Sequence, residues 1–557
     1  MIGVLAKFDE LPIAEEFFQL FKTPWEHFVP GKTYDVVLST GDLPADLECR
    51  LAVVYSSGQS SWNLDPARPF RRRLRNCIVE FAEQKLPIYG DIATHPSSEG
   101  RIATAIGDSE SVGIELTRDG RKAVRIGYDL FAEVTFLLTR GQPPENAQFA
   151  ALDSHIDILR RIIVSSGVPV VEIPPVPPGM QFISCLTHDI DFLSLRHHRF
   201  DRAMLGFIYR ATLGTLLDWF GGRCSLKKLA KNSAAVLKLP LVHLGLARDF
   251  WTQFENYMKV EQGRPSTFFV IPFKNRRGTA PEWSDSTHRG VRYDVGDIKQ
   301  WIPGLIQHGC EVAVHGIDAW TDSAKGREEL ARVASLTGEN RAGLRMHWLY
   351  FSEKSPHLID AAGFDYDSTC GFNDAVGFRA GTSQVFQPLA TSRLLELPLH
   401  VQDTAMFFPD RMHLKEAEAW ELFLGVERRC RQHGGVITVL WHDRSLVPER
   451  LWQDFYVAVL EHLSQGPTWF GTARDVVDWF RKRRAIRFVE TRQNANVVEV
   501  SLEDVPSETH PGFCLRVSTA IHEGGIEHQH TPLQGRAEFA IELPRLPGLA
   551  AVPTSLI

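Results

Sequence analysis

The sequence predicts an α/β protein whose central part folds into a (β/α) barrel. Short apolar runs alternate with helical patterns from about residue 181 to 485, and polar clusters end several of those runs. The length of this region suits a barrel that carries an insertion. A chain of 557 residues exceeds one compact core, so we expect further domains on either side of the barrel.

Residues 1–170 predict an N-terminal α/β domain of unknown role. The runs 34–39 and 51–56 are apolar and end near turn residues, as buried strands do. Apolar positions over 69–84 and 147–166 have helical spacing. No glycine-rich phosphate-binding motif accompanies this pattern, so the sequence assigns the domain no chemistry.

A proline-rich linker at 168–179 separates this domain from the barrel, because its density of proline forbids a helix. Residues 197–262 have a helical pattern without motif residues, and they predict the insertion. The predicted barrel strands are the apolar runs 182–186, 267–271, 311–314, 394–399 and 436–441. The predicted barrel helices are 296–309, 322–337, 413–433 and 447–464.

The pattern changes after residue 486. Apolar and polar residues alternate in short runs such as 497–500 and 539–543, with turn residues between them. Such alternation is typical of antiparallel strands with one buried face. Residues 486–557 therefore predict a small C-terminal β-rich module and tail.

The overall charge and the cysteine pattern exclude several function classes. The net charge is −7, so no basic surface for nucleic acid is predicted. The eight cysteines form no C-x-x-C pair, which argues against a zinc ribbon or a dense disulfide framework and fits a reducing compartment. Because no secretory signal is recognisable, we expect a cytoplasmic location.

Only one segment invites comparison with membrane-binding sequences. No run of about 18 uncharged apolar residues exists, so no transmembrane helix is predicted. Residues 203–221 are apolar but interrupted by Arg210 and Asp218. These charges favour a helix packed on its own domain, and peripheral contact with a membrane surface is the alternative.

Metal-binding and acid–base side chains follow three of the predicted barrel strands and a further short apolar run near residue 343. Reactive groups gather at the carboxyl ends of parallel strands, so we expect these side chains to face one cavity. Neighbouring carboxylates resist joint ionisation unless a cation lies beside them, and imidazole with carboxylate suits zinc or a similar divalent ion. The residues are Asp189, Asp191, His315, Asp318, Arg345, His347 and His442.

Each of these clusters has a structural alternative when it is considered alone. A D-x-D sequence more often caps a helix or joins surface ion pairs. A single histidine at a strand end is more often a hydrogen-bonded core residue. The same arrangement recurs at several strand ends, and this repetition favours a shared metal site.

Residues 181–485 resemble the NodB-homology polysaccharide deacetylases in a series of ordered motifs. The matching stretches are Thr187-His188-Asp189-Ile190-Asp191, then 311–316, 345–347, 361–369, 395–399 and 439–442. The resemblance implies a distorted (β/α) barrel of the NodB-homology type. It also implies a bound divalent metal, for which zinc is the first candidate. The implied reaction is hydrolysis of N-acyl groups, usually N-acetyl groups of amino sugars.

The resemblance implies a role for each matching residue. Asp189 would be the general base, and Arg345 would hold its carboxylate in place. His442 would be the general acid that protonates the leaving amine. Asp191 and His315 would be metal ligands.

The family's second metal-binding histidine is missing, because its position is Ala319. A catalytic zinc ion usually has three protein ligands and a water molecule. Asp318, one place earlier, and His347, where the family has proline, are the candidates for the third donor.

We therefore expect a metal-dependent hydrolase that removes N-acyl groups from a carbohydrate or a sugar-containing precursor. Hydrolysis of a non-sugar amide is one alternative, because relatives with this motif variant act on small amides. A non-catalytic carbohydrate-binding scaffold is another, because Ala319 leaves the usual metal set incomplete.

Overall fold

The computed structural model describes residues 1–44, 46–58, 72–82, 84–96, 99–107, 110–118, 121–282, 284, 286–494, 496–521 and 525–544. Its backbone contacts divide the chain into two compact units. The first comprises Met1–Phe136, Ala151–Pro178 and Phe480–Ile557. The second comprises Leu137–Ala150 and Gly179–Trp479. One boundary between the two units thus falls at the end of the proline-rich segment.

The first unit begins with a mixed sheet in the order β2-β1-β3-β4-β9-β8-β7-β5-β6. Its strands are β1 Ile2–Leu5, β2 Trp25–His27, β3 Tyr34–Ser39, β4 Cys49–Tyr55, β5 Arg72–Phe81, β6 Gln84–Thr94, β7 Arg101–Ala105, β8 Ser111–Arg118 and β9 Arg121–Ile126. Helices α1 Leu11–Phe21, α2 Leu130–Thr139 and α3 Ala151–Ser165 follow in the chain, as does strand β10 Val170–Glu172. The sheet is parallel from β2 to β9 and antiparallel beyond it.

The helix predicted over 69–84 is wrong where the structure describes it. Residues 72–81 form β5, which pairs antiparallel with β6 and β7. Leu74, Ile78 and Phe81 are spaced like one face of a helix, but Val79 and Phe81 are the buried side chains of a strand. Pairing with two neighbouring strands decided the conformation, because strand preference depends on cross-strand partners more than on local spacing.

The second unit contains a parallel sheet in the order β16-β15-β14-β13-β12-β11-β18-β17, with β19 also pairing β11. Its strands are β11 Phe182–Ile190, β12 Ser266–Val270, β13 Glu311–Gly316, β14 Leu344–Met346, β15 Tyr366–Asp367, β16 Leu395–Glu396, β17 Val401–Gln402, β18 Val436–Leu440 and β19 Thr468–Phe470. Every residue of β11, β12, β13 and β18 is buried. Such continuous burial is expected when both faces of a parallel sheet are covered.

This sheet curls into an incomplete barrel. β16 and β17 lie at opposite ends of the strand order, and only residues 397–400 separate them in the chain. The two ends must therefore come close together. Since no ladder joins them within the described residues, the predicted (β/α) barrel is a curled parallel half-barrel sheet.

Helices connect the parallel strands, as the βα alternation predicted. They are α4 Arg202–Tyr209, α5 Thr215–Phe220, α6 Leu226–His243, α7 Phe254–Glu261, α8 Ile302–Gln307, α9 Ser323–Thr337, α10 Ser355–Ala362, α11 Asp403–Phe407, α12 Glu416–His433 and α13 Gln453–Leu463. Helix α14 Ala473–Ala485 follows the last parallel strand. A π-helical segment, Arg210–Gly214, joins α4 to α5. No helix in the described part of the chain has the length and apolar composition needed to cross a bilayer.

The strands after residue 486 pair only antiparallel. They are β20 Arg487–Asn494, β21 Val497–Glu503, β22 Cys514–Ala520, β23 Ile526–Pro532 and β24 Glu538–Glu542. One sheet has the order β20-β21-β24, and the other has the order β10-β22-β23. The second sheet thus includes a strand that precedes the half-barrel in the chain.

Candidate metal centre and active site

Three side chains from separate strand ends meet at the carboxyl edge of the half-barrel sheet. Asp191 follows β11 directly, His315 lies in β13, and His347 follows β14 directly. The Oδ1 atom of Asp191 is 3.4 Å from the Nε2 atom of His315 and 3.4 Å from the Nε2 atom of His347. All three donor atoms lie within 4.8 Å of one another.

These positions suit a divalent metal ion. Ligand atoms about 2.1 Å from a tetrahedral zinc ion are about 3.4 Å apart, which is the spacing found around Asp191. The Oδ1 atom of Asp191 is buried and has no hydrogen-bond partner within the described residues. A buried carboxylate oxygen in this position is expected to bind a cation.

The protonation states of Asp191 and His347 also suit a metal. Burial alone would raise the pKa of Asp191, but its interactions with His315, His347 and His442 hold the pKa well below its usual range. Burial lowers the pKa of His347 well below its usual range, so this imidazole is neutral at neutral pH. Metal ligands must be a carboxylate or a neutral imidazole, and these groups meet that requirement.

A backbone contact orients the His315 ring. Its Nδ1 atom is 3.0 Å from the carbonyl oxygen of Arg345. Because a carbonyl oxygen can only accept a hydrogen bond, Nδ1 carries the proton and donates it. The lone pair of Nε2 is then free to face Asp191 and a metal ion.

The third side chain of this group is His347 and not Asp318. The carboxylate of Asp318 accepts a 2.6 Å hydrogen bond from the backbone N–H of Thr279, and it lies 3.4 Å from Nζ of Lys325. Asp318 is therefore engaged elsewhere and is outside the group of three donors. The structure brings His347 to Asp191 and leaves Asp318 apart from it.

Helix packing occupies the position where the resemblance expects a histidine. Ala319 is fully buried, and Gly326 of α9 lies so close that a Cβ atom added there would be 3.2 Å from the Cβ atom of Ala319. The small side chain at 319 thus lies against α9. A histidine there would collide with the helix.

Asp189 lies beside the metal-binding group and is held by Arg345. The Nη1 atom of Arg345 donates a 2.9 Å hydrogen bond to Oδ1 of Asp189. The Oδ2 atom of Asp189 remains on the side of the metal donors, 3.7 Å from Nε2 of His315. One carboxylate oxygen is fixed, and the other is directed toward the site.

Arg345 is itself fully buried and strongly constrained. Its other hydrogen bonds go to Oγ1 of Thr187 at 2.8 Å, to the carbonyl oxygen of Ser368 at 3.1 Å and to Oγ of Ser368 at 2.9 Å. Its guanidinium group also lies over the ring of Phe269, 4.3 Å from the ring centre. The position of the Asp189 carboxylate therefore depends on a rigid neighbour.

We expect Arg345→Met to destabilise the second unit by about 3 kcal/mol, because it leaves the buried Asp189 carboxylate without its cation. The shift of the urea midpoint and its m-value measure this loss. Arg428→Met is the matched control, since Arg428 is exposed on α12 and should change stability by less than about 0.5 kcal/mol. Equal midpoints for the two variants would contradict the holding role of Arg345.

His442 also lies near Asp191. Its Nε2 atom is 4.0 Å from Oδ2 of Asp191. Its Nδ1 atom is 2.6 Å from Oδ1 of Asp403, and its backbone N–H donates to Oδ2 of the same carboxylate at 2.7 Å. Ser445 also donates a hydrogen bond to Asp403.

Asp403 makes His442 a cation at neutral pH. Burial alone would lower the pKa of His442, but the Asp403 carboxylate raises it to about 9. Asp403 is a site residue that the sequence analysis missed. It begins α11 after a two-residue strand, which is too short to produce a recognisable apolar run.

The neighbouring His188 faces away from this site. Successive side chains of a strand point to opposite faces, so His188 and Asp189 are separated by the sheet. The His188 ring is fully buried, lies 2.7 Å from a carboxylate oxygen of Glu261 and packs 4.0 Å from the ring centre of Tyr257. It is a core residue behind this edge of the sheet.

The fold and the site together define an α/β protein with a curled parallel sheet and a candidate metal centre at its carboxyl edge. No protein-family model matches this chain, and no curated protein matches it. Solved structures do align with it, and they include polysaccharide deacetylases, the kind of protein that the sequence motifs resemble.

Three of these structures align with this chain over most of their own length. A protein assigned as a polysaccharide deacetylase from Mycobacterium smegmatis aligns over 58% of this chain and 99% of its own, at 20% identity and a TM-score of 0.33. The PuuE allantoinase aligns over 55% and 92%, at 13% identity and a TM-score of 0.31. A family 4 acetyl xylan esterase from Clostridium thermocellum, solved with cobalt, aligns over 53% and 91%, at 12% identity and a TM-score of 0.23.

Proposed function

We propose that the second unit is a metal-dependent deacetylase. It hydrolyses N-acyl groups on a carbohydrate or a sugar-containing precursor, and N-acetyl groups are the first candidates. One observation carries the proposal. A group of three metal donors lies close to a carboxylate held by arginine and to an imidazole held by a carboxylate. Metal-assisted amide hydrolysis uses these three elements together, as a Lewis-acid site, a base and an acid.

Asp191, His315 and His347 would hold the metal. Two imidazole nitrogens and one carboxylate oxygen favour zinc among the common divalent ions. When bound, such an ion supplies Lewis-acid chemistry that polarises the acyl carbonyl and acidifies water. The donors are buried or half-buried, so the site also restricts competing access by bulk water.

Asp189 is placed to act as the base. Its Oδ1 atom is occupied by Arg345, and its Oδ2 atom is free on the metal side. It takes one proton from the attacking water as the new C–O bond forms.

His442 is placed to act as the acid. With a pKa of about 9, the His442 ring is protonated at neutral pH. Its Nδ1 atom keeps its proton and donates it in a hydrogen bond to the Asp403 carboxylate. Nε2 then gives its proton to the leaving nitrogen as the C–N bond breaks. The proton that Asp189 received and the one that His442 gave balance over one turnover.

The sequence left two alternative functions open, a non-catalytic scaffold and a hydrolase of non-sugar amides. The site geometry bears on the first and not on the second. The scaffold hypothesis rested on the missing third donor, and His347 supplies a donor of the required kind. Nothing in the described site separates a sugar amide from a small non-sugar amide, so that choice is an outcome of the experiment.

The test is acetate release by the full-length protein, stripped with a chelator and reloaded with zinc or cobalt. We expect release from N-acetylated amino sugars only after metal is restored. Release from small amides alone would replace the carbohydrate substrate with a non-sugar amide. Absence of stoichiometric metal, with no activity after reloading, would overturn the proposal in favour of a non-catalytic scaffold.

A pH profile tests the acid. Asp403→Asn removes the charge that raises the pKa of His442, so the alkaline limb of kcat should move at least about one unit to lower pH. The sign follows because the protonated acid is lost at a lower pH once its pKa falls. The acidic limb, which reports the base, should stay in place. An unchanged alkaline limb would remove His442 from the acid role.

A further inference from the structure

The insertion before β12 exposes an unusual number of large apolar side chains. In the described part of the protein, eighteen such side chains are exposed, and twelve of them lie between residues 200 and 246. Phe220 is 72% exposed and Leu237 is 80% exposed. The remaining six are spread over the rest of the described chain, so this surface differs from ordinary scattered exposure.

The first helical stretch, α4 with the π-helical segment and α5, has two apolar stripes. One stripe is buried and contains Met204, Phe207 and Ala211, as predicted for a helix packed on its own domain. The second stripe faces solvent at spacings of three or four residues. Its members are Leu205, Tyr209, Leu213, Leu216, Leu217 and Phe220.

Helix α6 repeats this arrangement and adds charge. At about 100° per residue, Leu226, Leu237 and Leu241 lie within an arc of about 60°. Lys227, Lys231 and Lys238 occupy the adjoining arc of about 40°. The buried side chains of α6 occupy the next arc beyond the lysines, and they are Asn232, Ala235, Leu239 and Val242.

The charge of this segment is opposite to that of the whole protein. Residues 199–248 contain nine Lys and Arg residues and two Asp residues, a net charge of +7, whereas the chain has a net charge of −7. Five exposed cations make no ion pair with any described residue, so their charge is available to a partner. They are Arg199, Arg223, Lys227, Lys231 and Lys238.

We propose that this helical surface, residues 200–246, docks on the surface of an anionic phospholipid bilayer. An exposed apolar stripe beside a row of lysines matches a helix that lies in the membrane interface. Lys and Arg residues gain from the negative surface potential of such a membrane. Two copies meeting through this surface would bring two segments of charge +7 together, which disfavours self-association.

The helices would lie on the membrane and not cross it. No described helix meets the requirements for a span, and Arg210 is tied to Glu449 of its own unit at 2.9 Å. Helix α6 is anchored as well, because the side chain of Asn232 accepts a 2.8 Å hydrogen bond from the backbone N–H of Glu449. The surface is thus presented by a fixed scaffold.

Vesicle flotation with the full-length protein tests the proposal, using phosphatidylcholine vesicles with or without about one third phosphatidylglycerol. We expect binding to the anionic vesicles, with affinity reduced at least tenfold by 0.5 M salt, and little binding to the neutral vesicles. The triple variant Lys227→Gln, Lys231→Gln, Lys238→Gln should bind about 100-fold more weakly. The variant Leu213→Ser, Leu217→Ser, Leu237→Ser should also lose binding.

Matched controls separate this surface from general charge. Lys299→Gln, Lys354→Gln, Lys482→Gln removes three exposed lysines elsewhere and should leave binding within about twofold. A urea-unfolding midpoint equal to that of the wild type would show that each variant is folded. Failure of the wild type to bind anionic vesicles, or equal binding by all variants, would overturn the proposal.

Sedimentation velocity tests the alternative occupant of this surface, a second copy of the protein. If the wild type self-associates, does not bind vesicles and becomes monomeric in the leucine variant, the surface is an interface between copies and the membrane proposal is wrong. The assay uses no substrate, so a negative result leaves the proposed deacetylase reaction untouched.

Discussion

His347→Ala is expected to weaken zinc binding by more than about 100-fold. Loss of a residue that only supports a metal ligand typically costs 10- to 100-fold in affinity, and loss of a direct donor should cost more. His347 supplies one of three donor atoms, and its Nε2 atom is 3.4 Å from Asp191. Isothermal titration of the metal-free protein with zinc measures the change directly.

The control for this variant is His357→Ala. His357 is an exposed histidine on α10, ten residues further along the chain, and it is not part of the donor group. We expect its zinc affinity to equal that of the wild type. If His347→Ala binds zinc as tightly as the wild type, another group is the third donor, and Asp318 is the first to examine by the same titration.

A second variant tests whether a histidine at residue 319, where the resembled motif has one, can replace His347 as the third donor. Adding Ala319→His to His347→Ala restores the histidine that the resembled motif contains. We expect no recovery of zinc binding, because residue 319 packs against Gly326 of α9 and not toward Asp191. Recovery of affinity in the double variant would show that a histidine at 319 can reach the metal group.

The convergence of the site could be predicted from the sequence because it follows from strand direction. Asp189, Asp191 and His315 each lie at a strand end, and parallel strands end on the same edge. The choice between Asp318 and His347 could not be predicted. It depends on contacts with Thr279 and Lys325 that hold Asp318 away, and these arise only after folding.

The misses have the same physical origin. Asp403 controls the charge of His442 across 39 residues of chain, and only two strand residues precede it. β5 shows helical spacing, yet its pairing with β6 and β7 sets its conformation. Sequence periodicity records which side a residue faces within one element. Partners from other elements decide the fine positions of the site.

Asp189→Asn is expected to lower kcat by about 100- to 10,000-fold, the usual contribution of a general acid or base. The substitution keeps the shape of the side chain, and the amide oxygen can still accept the hydrogen bond from Arg345. It removes the negative charge of the side chain and, with it, the capacity to take a proton. Initial rates of acetate release at saturating substrate, together with metal analysis of the same preparation, measure both properties.

The pattern of the loss matters as much as its size. Asp189 is outside the three-donor group, so zinc content should stay near one ion per chain, and KM should change little while kcat falls. Asp374→Asn, an exposed aspartate of the same unit, should leave both constants unchanged. If Asp189→Asn lost zinc as well as activity, Asp189 would be a ligand. If it kept full activity, another group would have to take the proton, and the reaction assigned to this edge of the sheet would be wrong.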